Sequence, residues 1–248
     1  MSDIDELKSL IAGARRIVAF TGAGISTESG IPDFRSPGGI WTKYRPIEFG
    51  DFLASEEMRR ESWRRKFATD ETMRKATPNA GHRALARLVE QGKMIAIITQ
   101  NIDGLHQTSG IPDDKVIELH GNSTYAACLD CKRRHELEWV RQIFDDNETL
   151  PLCMACGGML KTATISFGQA MPEDAMERAH AATRQADLMI TLGSSLVVYP
   201  AAGFPVMAKR GGAKYAIVNR EPTDQDEIAD LVINAEIGST LSRAVGVN

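Results

Sequence analysis

The chain has 248 residues, 43% of them hydrophobic and 25% charged, with a formal net charge of −4. That length supports one large domain, or a main domain carrying a smaller insertion, around a sizeable core. The charge gives no general attraction to nucleic acid or to an anionic membrane, no run reaches the length of a membrane span, and no export signal is read at the N-terminus. A cytoplasmic location is expected, with neither nucleic acid nor membrane as partner, and the basic clusters Arg59-Arg60, Arg64-Arg65-Lys66 and Lys132-Arg133-Arg134 are read as solvated faces.

Ser2 and Asp5 have the spacing of a capping box, and Ile4, Leu7, Leu10, Ile11 and Ala14 share one face, which predicts a first helix. Ile17, Val18, Ala19 and Phe20 form an apolar run that stops at Thr21-Gly22-Ala23-Gly24, a buried strand entering a glycine turn. Glycine at 22 and 24 would let main-chain amides approach a phosphate with no Cβ in the way. Gly30, Pro32 and the Asp33-Phe34-Arg35 triplet interrupt any long helix, and residues 36–41 are expected to be a loop and a candidate lid. Residues 48–75 are rich in charge, with Phe49, Phe52, Leu53, Met58, Trp63 and Phe67 between, and predict a small helical module. Pro78 and Asn79 open a helix in which His82, Leu85, Leu88 and Val89 share a face.

A second buried strand over 94–99 ends at Gln100-Asn101-Ile102-Asp103, and a third over 116–119 ends at His120-Gly121-Asn122. Ligands of open α/β sheets bind at the carboxyl ends of strands, so three polar strand ends predict one crevice. The final third alternates strand and helix: strand 162–167, helix 172–183, strand 187–192 ending at Gly193-Ser194-Ser195, helix 201–210, strand 215–218 ending at Asn219, and a last strand over 231–235. This is the pattern of a parallel sheet with helices on both faces.

Cys128, Cys131, Cys153 and Cys156 form two Cys-x-x-Cys pairs, with 21 residues between the pairs. Two disulfides are conceivable, but in a chain read as cytoplasmic the grouping points to metal. Two knuckles offering four thiolates would close a tetrahedral Zn²⁺ and leave no position for an activated water, so the metal is expected to be structural; a redox pair or an iron cluster are the alternatives.

A conventional dehydrogenase is disfavoured. Gly22-x-Gly24-x-x-Thr27 lacks the third small residue, and no second strand with an acidic end follows at the usual distance. Gly193, Ser194 and Ser195 can hydrogen-bond phosphate or ribose, and Asn219 can reach a ribose. Gln100, Asn101, Asp103 and His120 supply a general base and hydrogen-bonding groups with no obvious nucleophilic serine or cysteine.

Together these residues resemble the sirtuins, NAD-dependent protein deacylases. The matching stretches are Gly22 to Thr27 with Gly30 to Arg35, then Thr99 to Asp103, Leu119-His120-Gly121, the four cysteines, Phe167-Gly168, Gly193 to Ser195 and Val218-Asn219, in the family's order and spanning about residues 16–238. The resemblance implies a Rossmann-like doubly wound parallel sheet formed by 1–35, 81–121 and 164–248, with a helical module at 36–80 and a zinc-ribbon module at 122–163. It implies NAD+ as co-substrate, one structural Zn²⁺ held by Cys128, Cys131, Cys153 and Cys156, and acyl-lysine proteins or peptides as partners.

The mechanism it implies needs no protein nucleophile. The acyl oxygen attacks C1′ of the nicotinamide ribose, nicotinamide leaves, and His120 as general base lets a ribose hydroxyl attack the resulting imidate, giving deacylated lysine and 2′-O-acyl-ADP-ribose. Asn101 would hold the ribose and Asp103 the carboxamide. Gly22, Ala23, Gly24, Ile25, Asp33, Phe34, Arg35, Gln100, Ile102, Gly193, Ser194, Ser195, Asn219 and Ile237 would complete the dinucleotide site. Residues 164–167 and 195–199 would pair with an extended peptide from both sides, with Ile165, Phe167, Gly168, Leu196 and Val197 in contact and Phe34, Ile102, Phe167 and Val197 as tunnel walls.

Residues 162–169 depart from the usual family sequence at the peptide edge. Residues 45–52 and 63–67 look most like the class II, mitochondrial-type branch, but no tyrosine accompanies Arg64 and Arg65, so an acidic acyl group is not expected. The competing readings are a mono-ADP-ribosyltransferase and a non-catalytic NAD or ADP-ribose sensor.

Overall fold

The computed structural model describes residues 2–34 and 38–247. Helix α1 (Asp3–Gly13) starts with the expected box: Ser2 Oγ accepts the Asp5 N–H, and the Asp5 carboxylate accepts the Ser2 N–H. Strand β1 (Ile17–Thr21) follows, then a 3₁₀ segment (Ala23–Ser29). The helical insertion holds α2 (Ile40–Lys43), α3 (Phe49–Ala54) and α4 (Glu56–Lys75), so part of the stretch expected to be loop is one helical turn. Helix α5 (Ala80–Glu90) leads to β2 (Met94–Thr99), α6 (Leu105–Thr108) and β3 (Val116–Glu118). Asn79 caps α5, its Oδ1 accepting the Gly81 and His82 N–H groups.

The chain then builds β4 (Gly121–Cys128), β5 (Arg134–Glu136), α7 (Leu137–Asp145) and β6 (Leu160–Thr164). It returns as α8 (Glu173–Gln185), β7 (Leu188–Leu192), α9 (Gly203–Arg210), β8 (Lys214–Val218), β9 (Leu231–Ile233) and α10 (Ile237–Val245). Among the described residues, six parallel strands form one sheet in the order β3-β2-β1-β7-β8-β9.

The sheet is covered on both faces, which is why β1 and β7 read as unbroken apolar runs instead of alternating ones. Ile17 and Ala19 point to one face, packed by Leu7 and Ile11 of α1, Leu85 and Leu88 of α5 and Leu241 of α10. Val18 and Phe20 point to the other, packed by Ala175 and Ala179 of α8 and Phe204 and Ala208 of α9. From β1 the chain fills one half of the sheet and then crosses to fill the other, so β1 and β7 flank the switch point where a crevice opens.

Strand β6 departs from the expected pattern. It ends at Thr164 and pairs antiparallel with β4, in the order β5-β4-β6, instead of joining the large sheet. The chain leaves this ladder where Gly121 sits against it, and the Ile165 N–H donates instead to the His120 carbonyl at 2.8 Å. A third core joins the two insertions: Trp63 of α4 is buried with Ala126, Cys128, Val140, Phe144, Cys153 and Leu160. Among the described residues no helix is long and apolar enough to cross a membrane.

Candidate active site and metal centre

At the switch point two strand ends lie backbone to backbone. The Gly22 N–H donates to the Leu192 carbonyl (3.0 Å), the Gly24 N–H to the Gly193 carbonyl (2.9 Å) and the Gly193 N–H to the Val218 carbonyl (3.1 Å). A Cβ on Gly22 would stand 2.6 Å from the Gly193 oxygen, and one on Gly24 would stand 2.7 Å from the Gly193 Cα. These glycines have a role beyond the one read from sequence: both amides are used to join the loops, and the bare Cα atoms allow that approach.

The polar residues after β1 and β2 form one network. Asn101 Nδ2 donates to Ser26 Oγ (3.1 Å), which donates to Asp103 Oδ2 (2.7 Å), while Asp103 Oδ1 accepts the Leu105 N–H (2.9 Å). Gln100 Nε2 donates to Ser194 Oγ (2.8 Å), and the Leu196 N–H donates to the same oxygen (3.2 Å), so the ends of β2 and β7 are tied across β1.

His120 Nδ1 lies 3.1 Å from the Gln100 carbonyl oxygen. A carbonyl only accepts, so Nδ1 carries the proton of the neutral ring and the lone pair is on Nε2. Burial holds the His120 pKa below the ordinary histidine value, against a smaller opposing effect of the Gln100 carbonyl. The ring is thus a neutral base at physiological pH.

A cavity of about 670 Å³ runs outside these strand ends. It gathers Gly22, Ala23, Gly24, Asp33, Phe34, Gln100, Asn101, Ile102 and His120 with Ile165, Phe167, Gly168, Gly193, Ser194, Ser195, Asn219 and Ile237. Four expected residues do not line it. Ile25 and Leu196 are buried in the two sheet cores, Asp103 stands behind Ser26, and Val197 is exposed outside the lining. Arg35 lies outside the described residues.

Sequence reasoning missed several of the walls. Trp41 stands between Phe34 and Phe167, with ring centroids 5.4 and 5.5 Å away, and closes the cavity together with Pro46, Ile47 and Met171. Glu221 and Glu236 line the end beside Asn219, whose Nδ2 donates to the Glu221 carbonyl at 2.7 Å. The apolar Ile-Trp pair at 40–41, inside a glycine-rich loop, was the available signal for Trp41.

In the small module the sulfurs of Cys128 and Cys156 are 3.5 Å apart, those of Cys131 and Cys153 are 3.6 Å apart, and all four lie within 4.8 Å of one another. A tetrahedral Zn²⁺ with bonds of about 2.3 Å needs sulfurs about 3.8 Å apart, so the donor set fits and is closed by sulfur alone. His135, buried and stacked on Trp139, places Nε2 3.4 Å from Cys153 Sγ, and the Ala155 N–H donates to the same sulfur at 3.4 Å. Such outer contacts orient the ligands.

Comparison with known proteins agrees with this geometry. The family model described as "Sir2 family" matches residues 22–200. NAD-dependent protein deacetylase 1 of Bradyrhizobium diazoefficiens is 60% identical over 99% of this chain and 96% of its own. The NAD-dependent protein deacetylase of Rhodopseudomonas palustris is 59% identical over 99% and 97%. A solved Sir2 complex with a p53 peptide and NAD+ superposes with a TM-score of 0.86 at 38% identity, covering 99% of this chain and 98% of that one. A Sir2 variant with a deacetylated p53 peptide and 3′-O-acetyl ADP ribose gives 0.88 at 39%, covering 98% and 97%.

Proposed function

The chain belongs to the Sir2 family, and on that premise we propose that its cleft removes acyl groups from protein lysine side chains in an NAD-dependent reaction. The observation that carries the reading is the His120 ring, fixed through Nδ1 on the Gln100 carbonyl in a cavity shared with the glycine turn. NAD+, when bound beside these residues, would supply an electrophilic ribose carbon for the acyl oxygen of the substrate.

His120 Nε2 accepts the proton of the ribose hydroxyl that attacks next, the task of a neutral base. Asn101 holds the nicotinamide end, and Asp103, which stands behind the lining, organises it through Ser26. Ser194, Ser195 and Asn219 hold the other half of the dinucleotide at the ends of β7 and β8. Ile165, Phe167 and Gly168 form one edge for the peptide, anchored by the bond from the Phe49 N–H to the Phe167 carbonyl at 2.8 Å.

Residues 1–35, 81–121 and 164–248 serve as the dinucleotide domain, with 36–80 as cofactor loop and helical module and 122–163 as zinc module. Cys128, Cys131, Cys153 and Cys156 hold a structural Zn²⁺ that stabilises this module and takes no part in the chemistry. A cytoplasmic location and the class II branch belong to the same reading. The location is supported by four free thiols gathered at one metal site, and the branch by the sequences at 45–52 and 63–67.

The test is mass spectrometry of acyl-lysine peptides, from acetyl to lipoyl, incubated with and without NAD+. Loss of the acyl group only with NAD+, with nicotinamide and O-acyl-ADP-ribose appearing together, is expected. Gain of ADP-ribose mass on protein with no deacylation would favour the transferase instead.

A further inference from the structure

His106 lies five residues beyond Asn101, outside the cavity lining, with 2% of its surface exposed. Helix α6, entered through the left-handed Gly104, turns the chain back so that the imidazole reaches under the ends of β1 and β2. There Nε2 is 2.9 Å from Thr21 Oγ1, Thr21 Oγ1 donates to Thr99 Oγ1 at 2.8 Å, and Thr99 Oγ1 accepts the Asn101 N–H at 3.0 Å. Because the Thr21 proton goes to Thr99, the histidine nitrogen must be the donor, and the neutral ring carries its proton on Nε2.

The other face of the ring supports this tautomer. His106 Nδ1 and His82 Nε2 are buried with no hydrogen-bond partner among the described residues, on rings whose centroids are 5.1 Å apart. His82 Nδ1 accepts the Asn79 N–H at 3.4 Å, so its Nε2 bears hydrogen while His106 Nδ1 bears a lone pair. Burial holds both rings well below the ordinary histidine range, so neither becomes a cation at physiological pH. The donor at Nε2 is therefore constant, in a place where charge would be costly.

We propose that His106 is a positioning residue: through Thr21 and Thr99 it pins the main chain at Asn101 and so fixes the loop from Asn101 to Asp103. The inference rests on the reading that this loop holds the nicotinamide end of NAD+. The relay clips the loop at one end while the Asp103 carboxylate, holding the Leu105 N–H, clips the other. All four members of the relay are buried, so no water replaces a lost link without cost. His106 touches neither substrate nor the reacting atoms.

The experiment compares His106→Leu, which removes the donor, with His106→Gln, whose amide restores one near the Nε2 position. Thr21→Val breaks the relay without changing side-chain shape and serves if His106→Leu fails to fold. Amide hydrogen exchange across 101–103 should quicken by about tenfold in His106→Leu and Thr21→Val and return toward wild type in His106→Gln. In the same variants kcat/KM for NAD+ should fall by about tenfold or more while KM for the peptide changes by less than about twofold.

Unchanged exchange at 101–103 overturns the proposal. So does a glutamine variant no better than leucine, or a loss shared equally by every strand, which marks general destabilisation. Wild-type protein that fails to deacylate with NAD+ would remove the assigned function alone, since the exchange measurement still decides the relay.

Discussion

Gly24 and Gly193 meet backbone to backbone: the Gly24 N–H donates to the Gly193 carbonyl at 2.9 Å, and a Cβ on Gly193 would stand 2.4 Å from the Ile25 nitrogen. Gly193 also sits at a φ of +66°, where an L side chain is strained. Gly193→Ala therefore combines strain with overpacking, each costing about 1–3 kcal/mol. A lower urea midpoint and loss of NAD+ binding by calorimetry are expected. Gly13→Ala, where a Cβ meets nothing within 4 Å at the end of α1, is the control and should lower neither the midpoint nor NAD+ binding. Wild-type NAD+ affinity in Gly193→Ala would show that the loops can part without opening the site.

The contact between His120 Nδ1 and the Gln100 carbonyl predicts a pH profile. The active form is neutral, and burial moves the pKa below the ordinary 6.5, so activity should persist below pH 6.5 and fall as pH drops through the lowered value. Linkage gives the same window for stability. Between the lowered value and 6.5 the unfolded chain binds more protons, so stability falls as pH falls there. An acid limb of kcat/KM at or above 6.5 would contradict the burial argument. His120→Ala should reduce turnover by about 10²–10⁴-fold while NAD+ affinity stays within about threefold, and equal losses of both would remove the base role.

The sheet was legible because a parallel sheet covered on both faces writes its strands as unbroken apolar runs: β1, β2 and β7 stand out, and the caps at Ser2 and Asn79 are local signals. The cysteine module was legible because its ligands come in closely spaced pairs. The path of 165–168 was not, because it depends on Gly121 meeting Ala163, where a Cβ would stand 2.0 Å from the Ala163 oxygen. Trp41 gains its place from the nearby Phe34 ring and from the Phe167 ring of a distant segment, and the second contact cannot be read locally. His106 is further from reach: its partner Thr21 is 85 residues away, and alone it reads as an ordinary interior histidine.

The zinc site shares its core with α4 through Trp63, whose surface is 1% exposed beside Cys128 and Cys153. Removing the metal should therefore expose this tryptophan, although it belongs to the other insertion. A chelator should release one zinc per chain and shift tryptophan emission to the red, and the shift should shrink in Trp63→Phe, where Trp139, stacked on His135, supplies what is left. Cys128→Ser should give the same spectrum without chelator. Metal release with unchanged emission would show that the shared core stands without zinc.

Lys161 supplies a second pH test, at the edge that leads to the peptide side of the cleft. Its ammonium is buried, donating to the Thr164 carbonyl at 2.5 Å and toward the Thr162 carbonyl at 3.4 Å, and burial lowers its pKa from 10.5 to about 8. Below about 8 the group is charged in both folded and unfolded chains, and the folded state carries the full penalty, roughly 3 kcal/mol for a shift of that size. Between about 8 and 10.5 the unfolded chain binds the proton that the folded chain has released, so stability rises with pH. The unfolding free energy of wild type, minus that of Lys161→Met, should climb across this interval, which removes the contribution of other groups titrating there. A flat difference would mean that water or a rearranged carbonyl solvates the ammonium, and that the strand edge is looser than its hydrogen bonds imply.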